Sequence, residues 1–192
     1  MSGAYTTSFR GETVRLPGPL ALAREGASGA GWYDSANVSI RAFCDRTGYD
    51  VARVCDVLAL TSPRVTVRRN VSLALAYLAT GSAPGIVPSV RAALAHYEAT
   101  GVIRGLKTSA FARALAGDVD AVVIDVWMWR ALGLDWPSVT PKRYRRAAAT
   151  VRGIATRADM TPAATQAAIW VATRQRYGYV THAPLVLPCD AG

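Results

Sequence analysis

A chain of 192 residues, 51% hydrophobic and only 18% charged, is long enough to fold around a sizeable core and too apolar to stay disordered. Its longest apolar run, Ala121 to Trp129, is too short for a membrane span and is broken by Asp125, and the polar N-terminus has no signal-peptide pattern, so the expected setting is the cytoplasm with no membrane partner. With 22 Lys and Arg against 13 Asp and Glu, the formal charge of +9 favours a polyanionic partner, because each phosphate neutralised releases counterions.

Residues 1–30 are rich in Gly, Ser, Thr and Ala and contain Pro17 and Pro19, and they read as a flexible arm with little regular structure. From Gly31 the pattern is helical. Trp32, Ala36, Ile40 and Phe43 share one helix face, and Gly48 closes that unit. Val51, Val54, Cys55, Leu58 and Ala59 mark a second helix. Ser62-Pro63 then reads as an N-cap with proline at the first helical position, opening a third helix with Val67, Val71, Leu75 and Leu78 inside. Gly81 to Pro88 is a loop, and a fourth helix over Ser89–Thr100 buries Val90, Ala93, Leu94 and Tyr97.

Gly101 to Gly105 is a tight turn into a fifth helix, Leu106–Ala116, which Gly117-Asp118 stops. Ala121–Ile124 is a short apolar approach to Asp125, and Val126–Leu132 is helical. Thr140-Pro141 and Thr161-Pro162 each read as N-cap plus first-turn proline, opening two more helices, the last with Ala163, Ile169 and Trp170 inward. Residues 177–192 have no period and read as a tail or a wrap. The expectation is an all-α fold of about eight helices, with one helical domain over 31–176 and no strand pattern.

Cys44, Cys55 and Cys189 are odd in number and widely spaced, which argues against a disulfide framework, a zinc site or an iron–sulfur cluster. With only His96 and His182 besides, neither metal nor other cofactor is expected, and the cysteines read as reduced. Of the 22 basic residues only Lys107 and Lys142 are lysine. In an alanine- and arginine-rich background a lysine that persists suggests a need for an amine that can lose its proton and act as a nucleophile; the survival of two by chance is the other reading.

Asp125, alone inside an apolar stretch, needs a partner. It can cap the helix that follows, and an ionised carboxylate in that place can also stabilise positive charge on a substrate. Trp127 and Trp129 point to opposite sides of that helix, one toward the core and one free to line a pocket. Gln166, Trp170 and Arg174, at i, i+4 and i+8, share one helix face and offer an amide, an indole and a guanidinium to a base; a satisfied helix edge is the plainer reading. Arg143, Arg145, Arg146 and Arg152 read as a solvated or phosphate-facing surface, and Asn70 either approaches the site or bonds locally.

The stretches G-L-K-T-S-A-F-A-R-A-L over 105–115 and A-V-V-I-D-V-W-M-W-R over 121–130 resemble the core of the helix–hairpin–helix DNA glycosylase superfamily. That family sets a hairpin glycine and a catalytic lysine at the start of the hairpin's second helix, then a V-D-x-H-x-x-R stretch with the catalytic aspartate. Lys107 and Asp125 stand 18 residues apart, close to the family's spacing. Upstream, Leu58–Leu78 resembles the family's first core helices more weakly. The layout K…F…D-x-W…Q-A…W…R, matched by Lys107, Phe111, Asp125, Trp127, Gln166, Trp170 and Arg174, is also similar to a set of phage proteins. The four-residue spacing of Gly101 and Gly105 departs from the family's G-V-G turn, and Trp127 replaces its histidine.

The resemblance implies a monomeric enzyme on duplex DNA with a flipped nucleotide, acting on a damaged or modified base. Asp125 would stabilise the sugar cation and Lys107 would be nucleophile and lyase residue or, alternatively, an exposed phosphate contact. Gly101, Arg104, Gly105, Thr108, Arg68 and Arg69 would meet the DNA backbone, and Trp127, Gln166, Trp170, Arg174 and Asn70 would line the base pocket. Two other readings stay open: a phage enzyme that transfers a substituent on a modified thymine with the glycosidic bond intact, and a DNA-binding module without chemistry.

Overall fold

The computed structural model describes residues 4–9, 12–134, 139–179 and 184–188. In chain order these form β1 (Tyr5–Phe9), β2 (Glu12–Leu16), α1 (Pro19–Glu25), a 3-10 turn (Ala27–Gly29), α2 (Trp32–Thr47), α3 (Val51–Thr61), α4 (Val67–Thr80), α5 (Pro88–Thr100), α6 (Leu106–Leu115), α7 (Val126–Ala131), α8 (Pro141–Ala158) and α9 (Pro162–Arg176). The fold is all-α apart from one antiparallel hairpin with Tyr5 opposite Leu16. Among the described residues five helices start on side-chain caps: Asp50, Thr66, Asp125, Thr140 and Thr161 each accept from the backbone N–H three residues on.

Where one helical domain over 31–176 is expected, the contacts divide the chain into two compact units, Met1–Tyr33 with Asp118–His182, and Asp34–Gly117 with Ala183–Gly192. The first unit buries Leu22 of α1, Val122 and Ile124 of the approach to Asp125, Met128 and Trp129 of α7, Tyr144 and Val151 of α8, and Ile169 of α9 in one core. Each large apolar side chain so enclosed contributes roughly 1.5–3 kcal/mol. The first thirty residues are therefore no structureless arm. They supply β1, β2 and α1, and α1 packs on α8 and α9. Gly26, at the end of α1, lets α1 and α9 approach closely: a Cβ there would lie 2.0 Å from the Ala168 carbonyl oxygen. Arg176 closes the same junction by donating to Glu25 at 2.7 Å.

In the second unit α4, α5 and α6 all pack against α3, whose Val54, Cys55, Val57, Leu58 and Leu60 are buried. Ser62 is not an N-cap. It is the C-cap of α3, with Ser62 Oγ donating to the Ala59 carbonyl, and the cap of α4 is Thr66. The inner face of α4 shifts accordingly: Asn70, Leu73, Ala74 and Tyr77 are buried, whereas Val67, Val71, Leu75 and Leu78 are half-buried. Further along the chain, Leu185 and Leu187 are buried, and the Leu187 N–H donates to Ser39 Oγ at 2.8 Å. Cys44 and Cys55 are free and buried, the Cys55 thiol being pushed up to about 12 by burial; Cys189 lies outside the described residues.

Candidate functional site

Asp125 ends the buried run Ala121–Ile124, whose backbone polar groups need partners away from water. Tyr144 of α8 serves two of them with one hydroxyl: it accepts from the Ile124 N–H at 3.1 Å and donates to the Val122 carbonyl at 3.0 Å. Burial raises the proton affinity of that phenol, so it stays a neutral donor. The carboxylate after it is fixed from three directions. Oδ1 accepts from the N–H groups of Trp127 (2.9 Å) and Met128 (3.0 Å), capping α7, and Oδ2 accepts from the indole N–H of Trp170 (3.0 Å) on α9.

Around this carboxylate the first unit gathers rings and guanidinium groups. Trp129 is 2% exposed and belongs to the core, while Trp127, two residues earlier, meets Tyr177 and Tyr179 edge-on at 5.4 and 5.2 Å. The Arg174 guanidinium lies 4.4 Å from the Trp170 ring centre, 5.2 Å from Tyr179 and 5.9 Å from Trp127. Arg130 lies 5.0 Å from Trp127 on α7. Burial lowers the pKa of both arginines, against the opposing pull of Asp125. Among the described residues the Arg174 side chain has no hydrogen-bond or ion-pair partner, and its Nε is fully buried.

On the same face of α9, Gln166 is 2% exposed and its Oε1 accepts from the Tyr33 hydroxyl at 2.7 Å. Tyr33 is held protonated by burial and then by the nearby Asp125. Tyr33 also meets Trp32 edge-on at 5.1 Å, and Trp32 lies 6.4 Å from Trp170. Beside α7 a cavity of about 420 Å³ is lined by Tyr5, Thr6, Thr7, Ser8 and Thr13 of the hairpin and by Arg130. The Tyr5 hydroxyl donates to the Ala131 carbonyl and so ties the hairpin to α7.

Asp125, Trp127, Gln166, Trp170 and Arg174 thus come together in the first unit, whereas Lys107, Asn70 and the hairpin residues belong to the second. Asn70 is spent on the α3–α4 junction: its Oδ1 accepts from Thr61 at 2.7 Å and its Nδ2 donates to the Leu58 carbonyl at 3.0 Å. Gly101 ends α5 in the left-handed conformation (φ 68°), and Gly105 opens α6 at φ 99° with no side-chain cap, a geometry that favours glycine at both positions. Gly101, Val102, Arg104 and Gly105 are exposed, Thr108 is half-buried in the first turn of α6, and Arg68 and Arg69 are exposed at the start of α4. Arg69 donates to the Pro84 carbonyl at 2.8 Å. Lys107, half-buried, donates to Ser62 Oγ at 2.9 Å and lies 5.1 Å from the Phe111 ring centre.

Tyr33, Tyr144, Tyr179 and Arg130 carry no assignment from the sequence. Arg130 alone left a signal, as the arginine five residues after Asp125; the tyrosines arrive from segments far off in the chain. Among the described residues no helix is long and apolar enough to cross a membrane. The chain belongs to a protein family of unknown function (DUF7178), which matches residues 20–177 and so takes in every residue of the Asp125 cluster except Tyr179, but not the β1–β2 hairpin. No curated protein and no solved structure matches the chain.

Proposed function

We propose that the protein acts on a base in DNA by a glycosylase-like reaction, with Asp125 stabilising the positive charge that develops on the sugar as the glycosidic bond breaks. The observation that carries this reading is the fixed carboxylate: three N–H donors hold Asp125 beside a cluster of four aromatic rings and two guanidinium groups. A preorganised negative charge in a partly desolvated site is worth more than in water and costs no reorganisation during the reaction. The uncapped start of α6, with Arg104 and Thr108 beside it, suits a backbone phosphate, and the charge of +9 suits the duplex as a whole. As a separate proposal, the Lys107 amine of the second unit can form a Schiff base with an abasic sugar.

The test is mass spectrometry of bases and nucleosides after incubation with duplexes carrying deaminated, alkylated or oxidised bases. Release of a free base, lost in Asp125→Asn, supports the reading. An altered nucleoside with its glycosidic bond intact points instead to base modification, and salt-dependent binding without product to a DNA-binding module. Borohydride trapping on abasic DNA tests Lys107 separately: a covalent adduct absent from Lys107→Ala is expected, and no adduct removes the lyase step.

A further inference from the structure

Gln166, Trp170 and Arg174 each carry an N–H donor on one face of α9, and they are spread over two helical turns. Gln166, Trp170 and Arg174 span eight residues, or about 12 Å of helix axis. That is too long for one base edge and matches a whole nucleotide from base to phosphate. The order of groups along this line is informative. Asp125 meets the middle residue, Trp170. At one end the Tyr33 hydroxyl occupies Oε1 of Gln166, which is 2% exposed, and among the described residues Nε2 has no acceptor. At the other end Arg174 and Arg130 flank Trp127, and the Arg174 side chain lacks any hydrogen-bond or ion-pair partner among the described residues.

We infer that this face binds one nucleotide lengthwise, with a carbonyl-bearing base edge on Gln166 Nε2, the sugar at Asp125 and the phosphate between Arg174 and Arg130. The inference rests on the reading of Asp125 as the group that faces the sugar. A donor at the base end selects a keto oxygen and disfavours an exocyclic amine, which would set donor against donor. Two guanidinium groups gathered on one indole suit an anion of two oxygens or more. The nucleotide belongs to a strand rather than to a free pool because Arg130 also lines the cavity of about 420 Å³, whose wall of Thr6, Thr7, Ser8 and Thr13 continues from the phosphate end as a path for the next phosphodiester.

Tryptophan fluorescence titrations separate the two ends and the two sources. The probes are thymidine and deoxyadenosine, their 5′-monophosphates, and duplexes with one extrahelical thymine or adenine. In the wild-type protein the thymine bulge is expected to bind about tenfold tighter than the adenine bulge, and each bulged duplex tighter than its mononucleotide. Arg174→Gln should weaken both bulged duplexes about tenfold and preserve the thymine preference; Arg174→Lys, which keeps the charge, should recover part of the loss. Gln166→Leu should abolish the thymine preference and leave the phosphate effect intact.

Equal binding of both bulges by the wild-type protein, or a preference that survives Gln166→Leu, overturns the base assignment. Undiminished duplex affinity in Arg174→Gln overturns the phosphate assignment, and mononucleotides binding as well as duplexes overturn the strand. Melting curves of each variant show whether it is folded, and the Lys variant carries the test if the Gln variant is not. Base release is measured independently, so a selective site without product sinks the reaction and not the orientation, whereas product with no base preference does the reverse.

Discussion

In the second unit Arg53 of α3 donates to Glu98 of α5 at 2.9 Å, the Tyr77 hydroxyl adds a bond to the same carboxylate at 3.2 Å, and both charged side chains remain 40% exposed. In the first unit Arg174 has aromatic neighbours and a carboxylate, Asp125, close enough to be felt, yet no ion pair closes among the described residues. The two arginines shift in opposite directions: the hydrogen bond to Glu98 raises the pKa of Arg53, and burial lowers that of Arg174. A surface network that satisfies itself explains its own residues. A half-buried cation, with its neighbouring carboxylate already committed to three N–H groups, does not, and it directs attention to a ligand.

The largest expected effect comes from Asp125→Asn. Asparagine still caps α7, so melting should move little, while base release in single-turnover assays falls about 100-fold or more. Next, Gly26→Ala should push α1 and α9 apart, since its Cβ meets the Ala168 carbonyl oxygen, and cost about 1–3 kcal/mol in denaturant titrations. Trp170→Phe removes the donor to Asp125 Oδ2 and keeps the ring under Arg174; a loss of about tenfold in rate is expected, with duplex affinity within about twofold.

Glu98→Gln is the control from the other unit and should cost less than about 1 kcal/mol. Its sign is set by pH. Arg53 holds the Glu98 pKa below the ordinary carboxylate value, so its contribution is present above the unfolded-state value and lost as pH falls through the folded one. The melting difference between Glu98→Gln and wild type should therefore be full at neutral pH and shrink as pH falls below the ordinary carboxylate range.

Helices that begin with a threonine and a proline, or that keep one apolar stripe, are legible in the sequence: α8 and α9 start where Thr140-Pro141 and Thr161-Pro162 place them. Where two caps compete, reading fails. Ser62-Pro63 has the composition of a helix start, but α3 runs on to Thr61 and Thr66 takes the cap, which moves the buried stripe of α4 to Asn70, Leu73, Ala74 and Tyr77. The β1–β2 hairpin is hidden for a different reason. Tyr-Thr-Thr-Ser-Phe sets four hydroxyl-bearing residues in a row rather than alternating apolar and polar ones, so no period-two signal arises.

At the site, residues spaced along one helix were visible, as with Gln166, Trp170 and Arg174. The bond from Trp170 to Asp125 bridges 45 residues, and the bond from Tyr33 to Gln166 bridges 133; no local pattern encodes either. Such pairings follow from which helices share a core, and a single sequence does not state that.

The order in which the two units are written along the chain has a kinetic consequence. Glu25 and its partner Arg176 are 151 residues apart, and the second unit is encoded almost wholly between them. At ribosomal speeds of about 5–20 residues per second, α1 waits on the order of 8 to 30 seconds before α9 is made. During that interval Leu20 and Leu22, which end in the first core, have no finished partner, while every helix of the second unit has already been made. Newborn chains should therefore show protease-resistant 34–117 before α1 is protected, which makes the N-terminal segment the natural place for a chaperone to hold.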